Sequence, residues 1–249
     1  MIRKLTWLVI LLAAGLAAAP ITFTDPYGGQ NPGNAANNGD VIGLLRSFDI
    51  RSLSVNALSG GTVQIQIFMN YGTNGGDTTL SGINIGGSFP TVYPGDVLIR
   101  NGSNRWAIPL ISHDNFGPSS SGLLAGNLYQ VNSFLTARTV LNDTTAGNYR
   151  PDDFVWGNAV GATQRSVSGV VQTASVGGAE IRVDIEFKTN DNLFLSALSL
   201  GDTVYSFASA TCANDVIEGV VPEPASFVLM GVGLAAIAFR RKIFHCRAH

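Results

Sequence analysis

Between the two ends of this chain there is one histidine, His113, followed directly by Asp114. A Ser-His-Asp hydrolase site would have to be built on it, with one of the many serines as nucleophile. No Gly-x-Ser-x-Gly turn of the kind that presents such a serine occurs in the sequence. A structural zinc ion takes about four His or Cys ligands, and between the ends only His113 and Cys212 are on offer. His113 is therefore expected to be a loop histidine near a strand end and not a catalytic base.

Carboxylates are the next candidates. Asp152 and Asp153 are adjacent, and neighbouring strand residues point to opposite faces, so they do not form the acid and nucleophile couple of a glycosidase. Glu180, Asp184 and Glu186 fall on one face of an alternating segment with Arg182 among them, which reads as a solvated strand face. No organic cofactor is called for. Calcium is the one ion for which loop oxygens are at hand, from Asn142 and Asp143 with Asp152 and Asp153, or from Asn190-Asp191-Asn192. The same residues also serve plain turn chemistry. Trp106, Tyr129 and Trp156, with Tyr93 and Tyr149, present two readings: a sugar-stacking platform on one sheet, or core and loop packing.

The elements that must position these residues read as strands. Thr62–Met69 places Val63, Ile65, Ile67 and Met69 on one face and glutamines on the other. Glu180–Phe187 does the same with Ile181, Val183, Ile185 and Phe187, so both segments are expected to bury one face of a sheet. Weaker strands are expected at 48–55, 96–100, 106–112, 128–135, 154–160, 166–175 and 203–210, separated by Gly- and Asn-rich joints such as Asn70–Gly76. The expectation is an all-β fold: a single antiparallel β-sandwich, jelly-roll or concanavalin-like, over residues 41–219, behind a flexible leader at 20–40.

Both ends are of another kind. Arg3 and Lys4 precede an apolar run, Leu5–Ala14, and small residues up to Ala19, which is the layout of a secretory signal peptide over residues 1–19. At the other end, residues 220–249 hold Pro222-Glu223-Pro224, fifteen uncharged residues from Ala225 to Phe239, and the cations Arg240, Arg241 and Lys242. Fifteen helical residues span roughly 22 Å, short of a ~30 Å hydrocarbon core. The run nevertheless has no polar face, and the cations that follow act as a cytoplasmic stop and can snorkel. One transmembrane helix is expected at about 225–239. The two prolines remove backbone donors and hold their predecessors extended, as a peptidase handle requires.

That three-part tail resembles the PEP-CTERM sorting signal of bacterial exported proteins, over about residues 220–242. The resemblance implies export across the inner membrane of a bacterium, transient anchoring by the tail, and cleavage near Pro222-Glu223-Pro224 by exosortase, a membrane-embedded cysteine protease. Signal peptidase would act at the other end. It also implies release to the cell surface or matrix in company with exopolysaccharide.

Setting the ends aside changes the electrostatics. All 17 acidic residues lie within residues 20–224, while six of the 15 Lys and Arg (Arg3, Lys4, Arg240, Arg241, Lys242 and Arg247) lie outside, leaving nine cations and a net charge of −8. Such a domain is not a nucleic-acid binder. Cys212 and Cys246 are expected on opposite sides of the membrane, hence unpaired. The sequence supports an exported, non-catalytic surface or matrix protein, with an anchored hydrolase of glycans or peptides as the alternative.

Overall fold

A computed structural model describes residues 20–25, 45–84, 91–142, 150, 152–198 and 202–221. In chain order the strands are β1 (Ile21–Thr24), β2 (Ile50–Ala57), β3 (Thr62–Asn70), β4 (Asp96–Asn101), β5 (Asn104–Pro109), β6 (Tyr129–Gln130) and β7 (Phe134–Thr136). They continue as β8 (Phe154–Gly157), β9 (Thr163–Gln164), β10 (Ser166–Gly177), β11 (Glu180–Thr189), β12 (Val204–Ala208) and β13 (Val216–Val220). Helices α1 (Leu45–Phe48), α2 (Ala137–Leu141) and α3 (Asn192–Ala197) are one or two turns each. The described protein is all-β, as expected, with antiparallel pairing throughout its named strands.

Five strands form one sheet in the order β1-β2-β3-β11-β10. Its centre is the pairing of the two strongest alternating segments: Val63 lies opposite Phe187, Ile65 opposite Ile185, Ile67 opposite Val183 and Met69 opposite Ile181. All eight side chains are buried. A period of two forces the alternate residues onto the other face, where Gln64 meets Glu186 and Gln66 meets Asp184.

A second sheet runs β13-β12-β4-β5-β6-β9. Val97, Ile99, Trp106, Ile108, Tyr205 and Phe207 join the apolar face of the first sheet in one hydrophobic cluster, so the two sheets share a core as a sandwich does. The outer face of this sheet is covered as well. Leu98 and Ala107 pack with Leu123, Tyr129 and Val131 from the chain that folds back over it. The ribbon β7-β8 lies close by, and Gly157 has no side chain where a Cβ would run into Ala107. The outer face of the five-stranded sheet is open, and that of the second sheet is covered over Leu98 and Ala107 but leaves a smaller pocket of about 300 Å³ toward β12 and β13.

Two features differ from expectation at the domain edges. The segment assigned to a flexible leader begins with β1, where Ile21 to Thr24 pair with Val55 to Ser52. Its Phe23 ring reaches across to Tyr205 at 5.6 Å between centroids, so apolar packing against the second sheet holds β1 in place. The fold also continues past residue 219, because β13 runs to Val220 and Val221 is buried.

Candidate functional site

The open face of the five-stranded sheet is concave and encloses a groove of about 830 Å³. Asn56, Gln64, Gln66 and Gln172 contribute carboxamides from three strands, and β11 adds Asp184 and Glu186 with the cations Arg182 and Lys188. Each group is aimed outward by the same alternation that buries its neighbours. Gln64 Nε2 donates to Glu186 Oε2 at 2.7 Å and Gln66 Nε2 to Asp184 Oδ1 at 2.8 Å. Arg182 Nε donates to Asp184 Oδ2 at 2.7 Å. A carboxamide offers both a donor and an acceptor, so the floor presents donors and acceptors side by side, with Arg182 and Asp184 ion-paired and Glu186 held by Gln64. Such a surface suits a neutral, hydroxyl-rich ligand, and its volume falls within the ~300–1,000 Å³ of ordinary ligand sites. The face read in the sequence as a solvated strand is the wall of this groove. The Gln-x-Gln spacing of β3 was the available signal, but the contribution of Asn56 and Gln172 depends on strand order.

His113 lies elsewhere, in the loop that follows β5. Both its side chain and that of Asp96 are fully buried. His113 Nε2 lies 3.0 and 3.1 Å from the two Asp96 oxygens, and Nδ1 lies 2.6 Å from the carbonyl oxygen of Asp114. Both ring nitrogens face oxygen atoms, an arrangement that favours the doubly protonated ring. Burial pushes its pKa down, but Asp96 beside it and the Asp114 carbonyl outweigh that and raise it above the ordinary histidine value. Trp156 stacks on the ring at 4.1 Å, Gly157 N–H donates to Asp96 Oδ2 at 2.8 Å, and Trp156 Nε1 donates to the Pro94 carbonyl at 3.0 Å. With both nitrogens engaged and both side chains buried, the pair ties β4 to the loop after β5, and Asp96 also holds β8 through Gly157. The neighbouring Asp114 carboxylate instead receives the N–H groups of Phe116 and Gly117.

The sugar-stacking reading of the aromatics is corrected. Trp106, Tyr129 and Trp156 are 1, 6 and 0 % exposed. Trp106 packs edge-on against Phe194 at 5.5 Å, and Trp156 lies against His113. Large apolar rings on strands covered on both sides have no face left for a ligand.

The loop oxygens considered for calcium are not assembled among the described residues. Asp152 lies 3.4 Å from Arg138 and Asp153 lies 4.0 Å from Arg150. Asn142 is the left-handed residue closing α2, and Asp143 lies outside the described residues. Asp191 caps α3, accepting from Leu193 N–H and Phe194 N–H at 3.0 and 3.1 Å, and pairs with Arg165. Cys212 is buried, and burial pushes its thiol up to about 12.

Comparison with known proteins places the tail. The family model of the PEP-CTERM protein-sorting motif matches residues 220–242. Among curated proteins and solved structures, none matches the chain. The chain thus carries the PEP-CTERM motif, which marks an exported protein sorted by exosortase. Pro222, Glu223, Pro224, Arg240, Arg241 and Lys242 all fall inside the match. They lie outside the described residues, as do the signal segment 1–19 and the apolar run 225–239. Among the described residues no helix is long and apolar enough to cross a membrane.

Proposed function

We propose that this exported protein is a non-catalytic component of the cell surface or matrix that holds exopolysaccharide in the groove of the five-stranded sheet. The observation that carries the reading is the groove itself: a recess of about 830 Å³ floored by carboxamides, with one ion pair, Arg182–Asp184, among them. Sugar hydroxyls form hydrogen bonds in both directions, and a floor rich in carboxamides offers them both donors and acceptors. The sorting motif supports the location, because it delivers the groove to where such polymers are.

The hydrolase alternative would have to use the groove's own carboxylates, Asp184 and Glu186, two residues apart on β11 and therefore on one face. Each is already engaged by a glutamine, and Asp184 by Arg182 as well. The separating experiment incubates the mature protein, purified from its host, with the host's exopolysaccharide. Retention without new reducing ends supports binding. Turnover that vanishes in Asp184→Asn or Glu186→Gln supports the hydrolase instead.

A further inference from the structure

The edges of the two sheets are not alike. β1 has four residues, β9 has two, and β13 has five with a glutamate at its centre, Glu218. These are the short or charged edges by which sandwiches avoid pairing with other chains. β10 is the exception. It is a twelve-residue edge strand, Ser-Val-Ser-Gly-Val-Val-Gln-Thr-Ala-Ser-Val-Gly, with no charge and no proline. Register irregularities bracket it at Ser166/Ser168 and Ser175/Gly177, leaving the run Ser168–Ser175 regular. Val167, Val170 and Val176 are 77, 52 and 53 % exposed. Among the described residues, the backbone of Val167–Gly177 bonds only to β11. The loop at Gly126 and the Thr78 carbonyl both approach from the core side, against Gly169 and Thr173.

We propose that β10 is a docking edge for a second copy of this chain, paired antiparallel about a two-fold axis at Gln172, within the regular run. An antiparallel pair of identical strands is self-complementary, which is what a two-fold interface demands. This register sets Val170 opposite Ala174 of the second copy, twice, with Gln172 opposite itself, so apolar meets apolar and no charge is opposed. Electrostatics permits it despite the acidic domain. The charged strand β11 would stand three strand spacings from its counterpart, about 14 Å, beyond the ~8 Å Debye length at physiological salt. The product is a continuous ten-stranded sheet whose two open faces lie side by side. Val170 and Gln172 belong to both the edge and the groove wall, so the two grooves would run together across the dyad. Two grooves on one rigid body engage a repeating polymer with the gain of bivalency. The dimer itself does not depend on what the grooves hold.

The test is sedimentation of the mature protein with amide hydrogen exchange of β10. A dimer at micromolar concentration is expected, with 168–175 protected on dimerisation. Val170→Lys with Ala174→Lys places like charges opposite each other twice and should weaken the dimer at least about tenfold. Val170→Lys with Ala174→Glu restores opposite pairs in the same register and should recover it, showing that the lysines had not merely unfolded the edge. A wild-type monomer overturns the proposal; if its β10 amides are protected even so, a segment of the same chain covers the edge. A double-lysine variant that dimerises as tightly as wild type overturns it too.

Discussion

His113 Nε2 sits 3.0 Å from Asp96 Oδ1 with both side chains out of solvent, and the imidazole's other nitrogen is taken by a carbonyl. The folded state therefore holds a proton that the unfolded chain releases near pH 6.5. The linkage sign follows: a pKa raised by folding gives stability that is complete below about pH 6.5 and is lost as pH climbs through the folded value. Thermal unfolding of the wild type should show Tm falling as pH rises from 6.5 toward 9. Asp96→Asn should remove that slope and cost about 3–5 kcal/mol at neutral pH, because it strands a buried partner. Asp49, whose carboxyl burial raises against the opposing pull of Arg51, adds stability in the same direction within the acid range. A Tm unchanged between pH 6.5 and 9 would mean that the pair carries no linked proton.

Gly219 and Phe23 make a second relationship that can be measured. The place where a Cβ on Gly219 would go is filled by the Phe23 ring, which brings β1 of one sheet against β13 of the other. Gly219→Ala should destabilise the protein by about 1–3 kcal/mol, as overpacking does. In a Phe23→Ala background the same change should cost less than about 0.5 kcal/mol, since residues in contact are not additive. Urea unfolding of the four proteins reads the coupling. Equal penalties in both backgrounds would show that some other neighbour confines Gly219.

What the sequence made legible divides along burial. β3 and β11 alternate because one face is wet and one dry, and they stood out for that reason. β4 is buried on both faces from Asp96 to Ile99, so it has no alternation to read and emerged only as a weak segment. β1 and β13 are too short to show a period and were missed. The partner of His113 could not be found by adjacency. Asp114 is next in the chain, but Asp96, seventeen residues earlier, is brought in by the fold. The same cause hid the groove: Gln64 and Gln66 were visible as a polar face, yet Gln172 joins them only because β10 pairs with β11. Aromatic residues suggested a platform from their type alone, and only the fold shows that Trp106 and Trp156 lie in the main core and Tyr129 in the smaller cluster on the outer side of β4 and β5.

The groove makes its own prediction. Gln64→Ala with Gln66→Ala removes two carboxamides from the floor while leaving the buried face untouched. At about 1 kcal/mol for each net hydrogen bond, binding of neutral exopolysaccharide should weaken roughly tenfold or more. Stability should change by no more than about 0.5 kcal/mol, as is usual for surface positions. Calorimetric titration of the polymer into both proteins provides the comparison. Unaltered affinity in the double variant would remove the groove as the binding surface.

The tail sets the remaining expectation, and it concerns where the chain ends in its working form. Residues 220–242 match the sorting motif, and β13 finishes at Val220 with Val221 buried under the fold. The tripeptide Pro222-Glu223-Pro224 thus begins as soon as the sheet stops. Its two prolines lack the backbone N–H that a helix interior or a sheet ladder uses, which suits a segment that a peptidase must grip. Cleavage at this point should leave the sandwich intact. Mass spectrometry of the protein from its bacterial host should find a mature chain lacking residues 225–249, and a host without exosortase should retain them. Glu223→Ala should leave most of the chain uncleaved while the Tm of the sandwich stays within about 1 °C, since a change outside the core costs at most a few tenths of a kcal/mol. Retention of residues 225–249 in both hosts would show that the motif is present without being used.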